Sequence, residues 1–311
     1  MLSNSSRANT LVLAAFLTFV VLGGTNMVAV RFSNRELPPF WGASVRFFAA
    51  VALLLAFAAL QRLEFPRGRA LAGAVAYGAL GFGAAYAFGY VGFQRVPAGL
   101  GAVTLALTPL ITFGLAVMQG QEPFRWRPLA GGAVALVGIA LMFRGAVGTA
   151  VPVLSLLALL AMATSAAEAS ILVKRFPRSH PVTTNVVAML TGAVLLLVLS
   201  LIFREPRGLP TMGSTWAALV YLVVLGSSAA FVLFLFVLKH WPASSVAYQF
   251  VLFPLVAISL SALLEGAALS LALLAGMGVA LAGVYVGAVT HVPFARTPHR
   301  LGTEPCLTCA E

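Results

Sequence analysis

The sequence predicts an all-α integral membrane protein in which ten transmembrane helices form two inverted repeats of five. Apolar residues make up 61% of the 311 residues and charged residues only 9%, whereas a water-soluble domain of this size needs more surface charge. The stretch 81–119 also aligns without a gap on 226–264, with ten identical residues. Because each repeat holds five hydrophobic segments, an odd number, the second repeat must enter the membrane from the opposite side.

Ten apolar runs have the length that a hydrocarbon layer of ~30 Å requires of a helix. The first five are predicted at 9–30, 41–60, 70–93, 97–119 and 128–143. The second five are predicted at 152–173, 183–203, 214–238, 243–264 and 268–290. The chain then divides into an N-terminal tail 1–8, a first repeat 9–143, a connection 144–151, a second repeat 152–290 and a disordered C-terminal tail 291–311.

The first segment also has features of a secretory signal, because Arg7 precedes an apolar run and Val28-Ala29-Val30 is a weak cleavage site. Its removal would leave nine segments and break the five-plus-five arrangement. We therefore predict an uncleaved first helix.

Basic residues in the connections predict the orientation. With ten crossings, twelve Lys and Arg residues lie on the side of the N-terminus and six on the other side. Basic connections stay in the cytoplasm, so both termini are predicted to be cytoplasmic in a multi-pass protein of the inner membrane. The net charge of +11 then reflects orientation and attraction to anionic headgroups of the lipid bilayer. Nucleic acid is not an expected partner, because it would require one continuous basic soluble face.

Arg46 in the second segment is the one basic residue well inside a hydrophobic run. A charge at the bilayer centre costs ~2.5–3.5 kcal/mol on insertion scales. In one interpretation its long side chain reaches the nearby headgroups. In the other, Thr25 and Asn26 of the first segment orient the guanidinium toward a cavity, where it would bind an anionic group such as a carboxylate.

Prolines stand at equivalent places in the fourth and ninth segments. Pro97 and Pro242 open these helices, and Pro109 and Pro254 lie twelve residues further on. A proline in mid-helix frees the carbonyl four residues earlier, which must be paired or must line a water-filled cavity at membrane depth. The alternatives are a kink repaired by threonine and a cavity wall. Two such prolines in an inverted repeat favour the wall.

Polar, aromatic and proline positions together predict a substrate cavity at the repeat interface, walled by the first, third, fourth, sixth, eighth and ninth segments. Core packing is the commoner role of such aromatic residues. The predicted cavity residues are Thr25, Asn26, Arg46, Tyr77, Tyr86, Thr104, Thr108, Pro109, Ser227, Ser228, Tyr248, Gln249 and Pro254.

Glu168 is the only acid well inside a segment, and it is a candidate carrier of a coupling proton. The alternative is a cytoplasm-facing carboxylate neutralised by Lys174 or Arg175, one or two turns on. Small residues four apart in the fifth and tenth segments, such as Gly131 and Ala135, predict close helix pairing within one subunit. The chain is therefore expected to be a monomer, with a dimer as the alternative.

Enzyme motifs are absent from the chain. It has no aspartate, no Gly-Lys-Ser/Thr, no Gly-x-Ser-x-Gly and no His-Glu-x-x-His. Cys306 and Cys309 form one Cys-x-x-Cys in the tail, whereas a zinc site needs four ligands. We therefore predict no metal, no cofactor and no catalytic site, and an intramembrane enzyme is a remote alternative.

Several segments of the sequence resemble the motifs of a known family. Residues 22–31 resemble the first-helix signature of EamA-type proteins in the drug/metabolite transporter superfamily, and 43–47 resemble its second-helix Arg-Phe motif. Residues 96–123 resemble its fourth-helix block and 131–143 its fifth helix. The sequence departs at Gly23, where the family usually has tryptophan.

The resemblance covers about residues 9–290 and implies a ten-helix carrier that exports amino acids or other small metabolites. Because the predicted cavity has almost no fixed charge, it suits neutral or zwitterionic small-molecule substrates moved by alternating access. A broad exporter of drugs or lipophilic cations is the alternative, since an aromatic cavity would also accept those.

Overall fold

The structure is a computed structural model that describes residues 2–96, 98–143, 152–265 and 271–288, and all regular structure within these ranges is helical. The predicted connection 144–151, the tail 291–311 with its two cysteines, and Pro97 lie outside the described residues.

Ten helices, α1 to α10, follow in the predicted order. The first repeat comprises α1 (Leu2–Ser33), α2 (Pro39–Leu60), α3 (Arg69–Phe93), α4 in two pieces (Ala98–Leu105 and Thr108–Met118) and α5 (Trp126–Met142). The second comprises α6 (Val153–Arg175), α7 (Pro181–Ile202), α8 (Gly213–His240), α9 in two pieces (Ala243–Val246 and Gln249–Glu265) and α10 (Leu271–Gly287).

These helices have membrane-crossing length and composition. Eight contain apolar spans of 18 to 28 residues, and α5 and α10 are apolar helices of 17 residues each. Seventeen residues extend for ~26 Å, close to the hydrocarbon thickness. The prediction of ten transmembrane helices is confirmed. The predicted tail 1–8 is helical from Leu2, because no proline or glycine interrupts the chain there.

The repeat extends beyond the stretch that aligns in sequence. Helices α2 and α7 each have 22 residues and begin on a proline. Each is followed by an arginine with positive φ, 52° at Arg62 and 53° at Arg204. The next residue then bonds back into the helix, from Leu63 N to Ala58 O and from Glu205 N to Ser200 O. Such left-handed residues satisfy the last carbonyls of a helix.

Two π-helical segments lie within α3 and α8, at Ala79–Ala84 and Val224–Ala229. They are displaced by 145 residues, like the aligned stretches of the sequence. π-helical turns are rare and are concentrated at functional sites. The sequence analysis did not predict them.

The two midplane prolines behave differently. In α4 the helix breaks at residues 106–107, and Pro109 lies in the first turn of the second piece, where its missing N–H costs nothing. In α9 the break is at residues 247–248, and the helix runs through Pro254 without interruption. The two prolines stand at equivalent places in the sequence, but only Pro109 lies next to a break, since a long helix such as α9 can absorb the loss of one hydrogen bond.

Helices α5 and α10 pack backbone to backbone. A Cβ on Gly283 would stand 2.6 Å from the carbonyl oxygen of Gly131 and 2.7 Å from Cα of Ala135. A Cβ on Gly138 would stand 2.7 Å from Cα of Ala280. Only glycine permits these approaches, so the predicted pairing of small-residue faces within one chain is confirmed.

The two repeats meet along most of their length. Helix α2 packs on α7, α3 packs on α6 and α7, and α1 packs on α8 and α9. Between α3 and α7, Gly78 lies against the backbone of Ala188, and Gly192 lies against Phe82. We call the end that carries connections 61–68, 119–125 and 176–180 the arginine-rich end, and the other the opposite end. The sequence predicts that the arginine-rich end is cytoplasmic.

Glutamates tie the repeats together at the ends of the helices. At the opposite end, Glu36 accepts hydrogen bonds from the N–H groups of Thr211 and Met212, just before α8 begins. Glu205 accepts from the N–H groups of Phe40 and Trp41 in the first turn of α2. Each carboxylate thus satisfies free N–H groups of a helix in the other repeat.

A third such contact lies at the arginine-rich end. Glu122 accepts from the backbone N–H of Ser244 at 3.2 Å, in the first turn of α9, and from its hydroxyl. This contact also joins the two repeats.

Candidate substrate site

Arg46 projects from α2 into the interface between the repeats and is 3% exposed. Its Nε donates to Oγ of Ser227 at 2.6 Å, and its Nη2 donates to the carbonyl of Gly226 at 3.3 Å and to the hydroxyl of Tyr86 at 3.5 Å. Its Cζ lies 5.0 Å from the ring centre of Phe47, a favourable position for a cation. The structure contradicts the interpretation that Arg46 reaches the headgroups, because the side chain is buried and its Nε and Nη2 donate to groups inside the interface.

Arg46 forms a polar cluster with Tyr86, Gly226 and Ser227, and side chains of α1 complete it. Asn26 Nδ2 donates to the same Gly226 carbonyl at 3.4 Å, so donors from α1 and α2 converge on the π-helical segment of α8. The hydroxyl of Thr25 is hydrogen-bonded to that of Tyr221. Oδ1 of Asn26 is buried and has no hydrogen-bond partner among the described residues. The π-helical segment therefore supplies the central acceptor of the cluster.

An aromatic group stands beside Arg46. The ring of Phe82, in the π-helical segment of α3, lies 5.1 Å from Phe47, 5.5 Å from Tyr77 and 4.6 Å from Phe231 in edge-to-face geometry. Phe47 is also 5.1 Å from Tyr86. Such aromatic pairs stabilise the protein by more than the burial of their apolar area alone. Both π-helical segments thus face one site, which has an aromatic side and a polar side.

The hydroxyl groups of three predicted cavity residues form hydrogen bonds within their own helices. Thr104, Thr108 and Ser228 donate to carbonyls three to five residues earlier, at 2.9, 2.6 and 2.8 Å. Thr108 bonds the carbonyl of Leu105, the one that Pro109 leaves without its N–H partner. The kink at Pro109 is therefore repaired by threonine, the alternative in the sequence analysis. Pro109 and Pro254 are both buried.

Tyr248 lies apart from this cluster. Its hydroxyl donates to the carbonyl of Pro128 at 3.0 Å and fills the space above Gly287, so it belongs to the α5–α10 contact. The neighbouring Gln249 is 5% exposed, and its Oε1 is buried without a hydrogen-bond partner in the described part of the chain.

Glu168 is half-buried in α6 and accepts a hydrogen bond from Gln119 Nε2 at 2.6 Å. Lys174, its expected neutralising partner, donates instead to the carbonyl of Trp241 at 2.6 Å. Neither Lys174 nor Arg175 forms an ion pair with Glu168 in the part of the chain that the structure describes. Glu168 and Asn26 stand equally far, seven residues, from the ends of α6 and α1. The inverted repeat therefore gives these two polar residues equivalent places.

Sequence reasoning missed Tyr221, the Gly226 carbonyl and the role of Phe253. The π-helical segments contain the start of the aligned stretches, where Gly81 matches Gly226 and Ala84 matches Ala229, and these identities are the sequence signal that could have marked them. At Gly23, where the family usually has tryptophan, the ring of Phe253 occupies the space where a Cβ would stand. An aromatic ring thus lies at this place, supplied by α9.

Ten membrane-length helices in two inverted repeats, with a buried polar site between them, define the class of membrane transporters built from inverted repeats. The model of the EamA-like transporter family matches residues 10–144 and again 153–288. The chain therefore belongs to the EamA-like transporter family, and the two matches coincide with its two repeats.

Relatives agree with this assignment. The chain is 30% identical over 262 residues to the uncharacterised inner membrane transporter YedA of Escherichia coli, covering 83% of each protein. It is 26% identical over 286 residues to a probable amino-acid metabolite efflux pump of Salmonella typhimurium, covering 87% of this chain and 92% of the relative. One solved structure superposes with a TM-score of 0.77, over 90% of this chain and 97% of its own, at 22% identity. The protein is thus a multi-pass inner membrane transporter.

Proposed function

We propose that this transporter exports amino acids or similar small zwitterionic metabolites by alternating access, with Arg46 binding the substrate carboxylate. The relative from Salmonella typhimurium named as a probable amino-acid metabolite efflux pump supports the substrate class.

The observation that carries the proposal is the incomplete pairing of the Arg46 guanidinium. Its Nε and Nη2 are hydrogen-bonded, but Nη1 has no partner among the described residues. No carboxylate of those residues pairs with it either. A buried charge without a counter-ion is costly, so an anionic ligand at Nη1 would be strongly favoured. The cluster would fix the guanidinium, and two N–H donors would remain for a carboxylate.

The rings of Phe47, Phe82 and Phe231 favour a second candidate, export of lipophilic cations, since aromatic faces attract cations. The positive charge of Arg46 in the same site opposes it. We therefore place this candidate second.

The test is substrate uptake into liposomes that contain the purified protein. We expect labelled amino acids to be transported by the wild type, and Arg46→Gln to lower transport about tenfold or more, because the charge-assisted hydrogen bond to the carboxylate is lost. Arg127→Gln, an exposed arginine on α5, is the matched control and should keep full transport. If lipophilic cations are transported and Arg46→Gln accelerates them, the second candidate replaces the first.

We propose Glu168 as the carrier of a coupling proton, because it is half-buried and its hydrogen-bond partner among the described residues is the neutral amide of Gln119. Glu168→Gln should abolish accumulation driven by a pH gradient while substrate exchange continues. Unchanged gradient-driven transport in this variant would return Glu168 to a structural role.

A further inference from the structure

The two ends of the bundle share one plan but differ in charge. Connections 34–38 and 176–180 each have five residues, join a long helix to the next one, and are followed by a helix that begins on proline. Glu36 and Arg178 are the third residues of these connections. The inverted repeat therefore puts Arg178 at the arginine-rich end where Glu36 stands at the opposite end.

The segments that face these residues also differ. Glu36 binds the N–H groups of Thr211 and Met212 in front of α8. A displacement of 145 residues maps this pair onto Pro66 and Arg67, in front of α3. Proline has no N–H to donate. The arginine-rich end thus lacks the carboxylate and one of the two N–H donors, and it has Arg178 in the connection and Arg67 in front of α3.

The second glutamate of the opposite end has no counterpart either. Glu205 follows the left-handed residue after α7, and the residue in the same place after α2 is Leu63. Two carboxylates that join the repeats at one end are therefore replaced by a cation and a leucine at the other.

A cavity of about 720 Å³ opens at this place, between the connections 61–68 and 176–180. Four cations line it, Arg62, Arg67, Arg178 and Lys239, against one carboxylate, Glu64. Glu64 forms no ion pair with them within the described ranges of the chain, and its carbonyl is the group that accepts from Thr183. The cations repel one another, and an anion among them would remove this repulsion.

We infer that this cavity binds an oxyanion, phosphate or carboxylate, which bridges Arg67 and Arg178. The bound oxyanion holds connection 176–180 to the start of α3, as Glu36 holds connection 34–38 to the start of α8. Guanidinium groups suit this role because their forked donors match the geometry of both oxyanions. The oxyanion comes either from an anionic lipid headgroup or from solution. The inference does not depend on which substrate the protein exports.

Thermal unfolding of the full chain in detergent tests binding without any transport measurement. We expect inorganic phosphate to raise the melting temperature of the wild type above that in chloride at equal ionic strength. Arg178→Gln and Arg67→Gln should each weaken the response to phosphate about tenfold, because each removes charge-assisted hydrogen bonds. Arg127→Gln, an exposed arginine outside the cavity, is the control and should respond like the wild type.

A charge reversal gives an independent measurement. Arg178→Glu supplies the carboxylate that the opposite end has, so this variant should be at least as stable as the wild type in chloride and should not respond to phosphate. A variant less stable than the wild type in chloride, with its phosphate response intact, would contradict the inference.

Unfolding measurements in lipid nanodiscs distinguish the two possible sources of the oxyanion. If a lipid headgroup is the ligand, phosphatidylglycerol should stabilise the wild type more than phosphatidylcholine does, and Arg178→Gln should lose this preference. If a free oxyanion is the ligand, phosphate should act equally in both lipids. The inference is overturned if the wild type responds to neither phosphate nor phosphatidylglycerol, or if Arg178→Gln and Arg67→Gln keep the full response.

Discussion

Gly226 shows how a single backbone position holds the candidate site together. Its carbonyl accepts from Arg46 and Asn26, and the Asn26 amide occupies the space where a side chain would begin, with Cγ 3.0 Å from the position of a Cβ. The hydroxyl of Ser227, the next residue, accepts from Nε of the same arginine. The cluster therefore depends on a close approach of α1 to the π-helical segment of α8.

We expect Gly226→Ala to destabilise the protein by about 1–3 kcal/mol, because the added methyl must displace Asn26 or widen the helix contact. Gly278→Ala on the exposed side of α10 is the matched control, since nothing lies within 4 Å of its Cβ position. Thermal unfolding measures both. Combining Gly226→Ala with Asn26→Ser should recover part of the loss, and no recovery would contradict the contact as described.

Glu36 predicts how the opposite end responds to acid. Hydrogen bonds from Thr211, above all from its side chain, lower the pKa of Glu36 from 4.5 to about 2. A carboxylate with a lowered pKa in the folded state stabilises the protein above its ordinary pKa, and this contribution is lost as the pH falls toward the folded value. The contribution is thus complete above pH 4.5 and disappears between pH 4.5 and about 2.

The wild type should therefore exceed Glu36→Gln in melting temperature at neutral pH, and the difference should shrink as the pH falls below 4.5. Unfolding curves of the two proteins at matched ionic strength measure this. A difference that stays constant into the acid range would mean that Glu36 acts through packing and not through its charge.

At the scale of single residues, the sequence could predict those whose chemistry conflicts with the bilayer. Arg46 was identifiable because a charge in an apolar run needs an explanation, and Ser227, which it contacts, was in the same predicted cavity. Tyr221 and the Gly226 carbonyl could not be predicted, since neither is unusual for a membrane helix. Tyr248 was assigned to the cavity from its position in α9, but the side of the helix that it occupies is decided by packing against α5 and α10.

At the scale of helices, the length of the apolar runs predicted the ten helices, and the prolines marked the helix that breaks at Pro109. The irregularities of the backbone could not be predicted. The ten runs needed only hydropathy, because a spanning helix must be long and apolar. The π-helical segments change one turn of hydrogen bonding and leave no mark on composition. The break in α9 at residues 247–248 lies six residues before Pro254. At this break the backbone hydrogen bonds span three residues instead of four, as from Phe250 N to Ala247 O.

This difference predicts unequal effects of the two prolines. Pro109 stands at the break of α4, so Pro109→Ala can restore a bond to Leu105 O and stiffen the junction. We expect turnover in liposomes to fall about threefold or more while thermal stability holds or rises, since the conformational step slows. Pro254→Ala lies within a continuous helix and should leave turnover nearly unchanged. Equal turnover of both variants and the wild type would show that neither proline takes part in conformational change.

At the scale of the whole molecule, the inverted repeat gives one architecture two different ends. Glu36 and Glu205 join the repeats at the opposite end, and Glu122 joins them at the arginine-rich end. The sequence predicted the repeat and the excess of basic charge. It could not predict these contacts, because each depends on how a connection of one repeat docks on a helix of the other.

In the alternating access that we propose, the contact between connection 34–38 and the start of α8 would have to open in every transport cycle. We therefore expect a disulfide between Glu36→Cys and Thr211→Cys, in a background with Cys306 and Cys309 replaced by serine, to abolish transport into liposomes. Transport should return on reduction, because the disulfide holds the opposite end closed without altering Arg46. Each single-cysteine variant under oxidation is the control for loss of the Glu36 contact alone. Full transport with the disulfide formed would mean that the repeats do not separate here, and the substrate would then have to leave by another route.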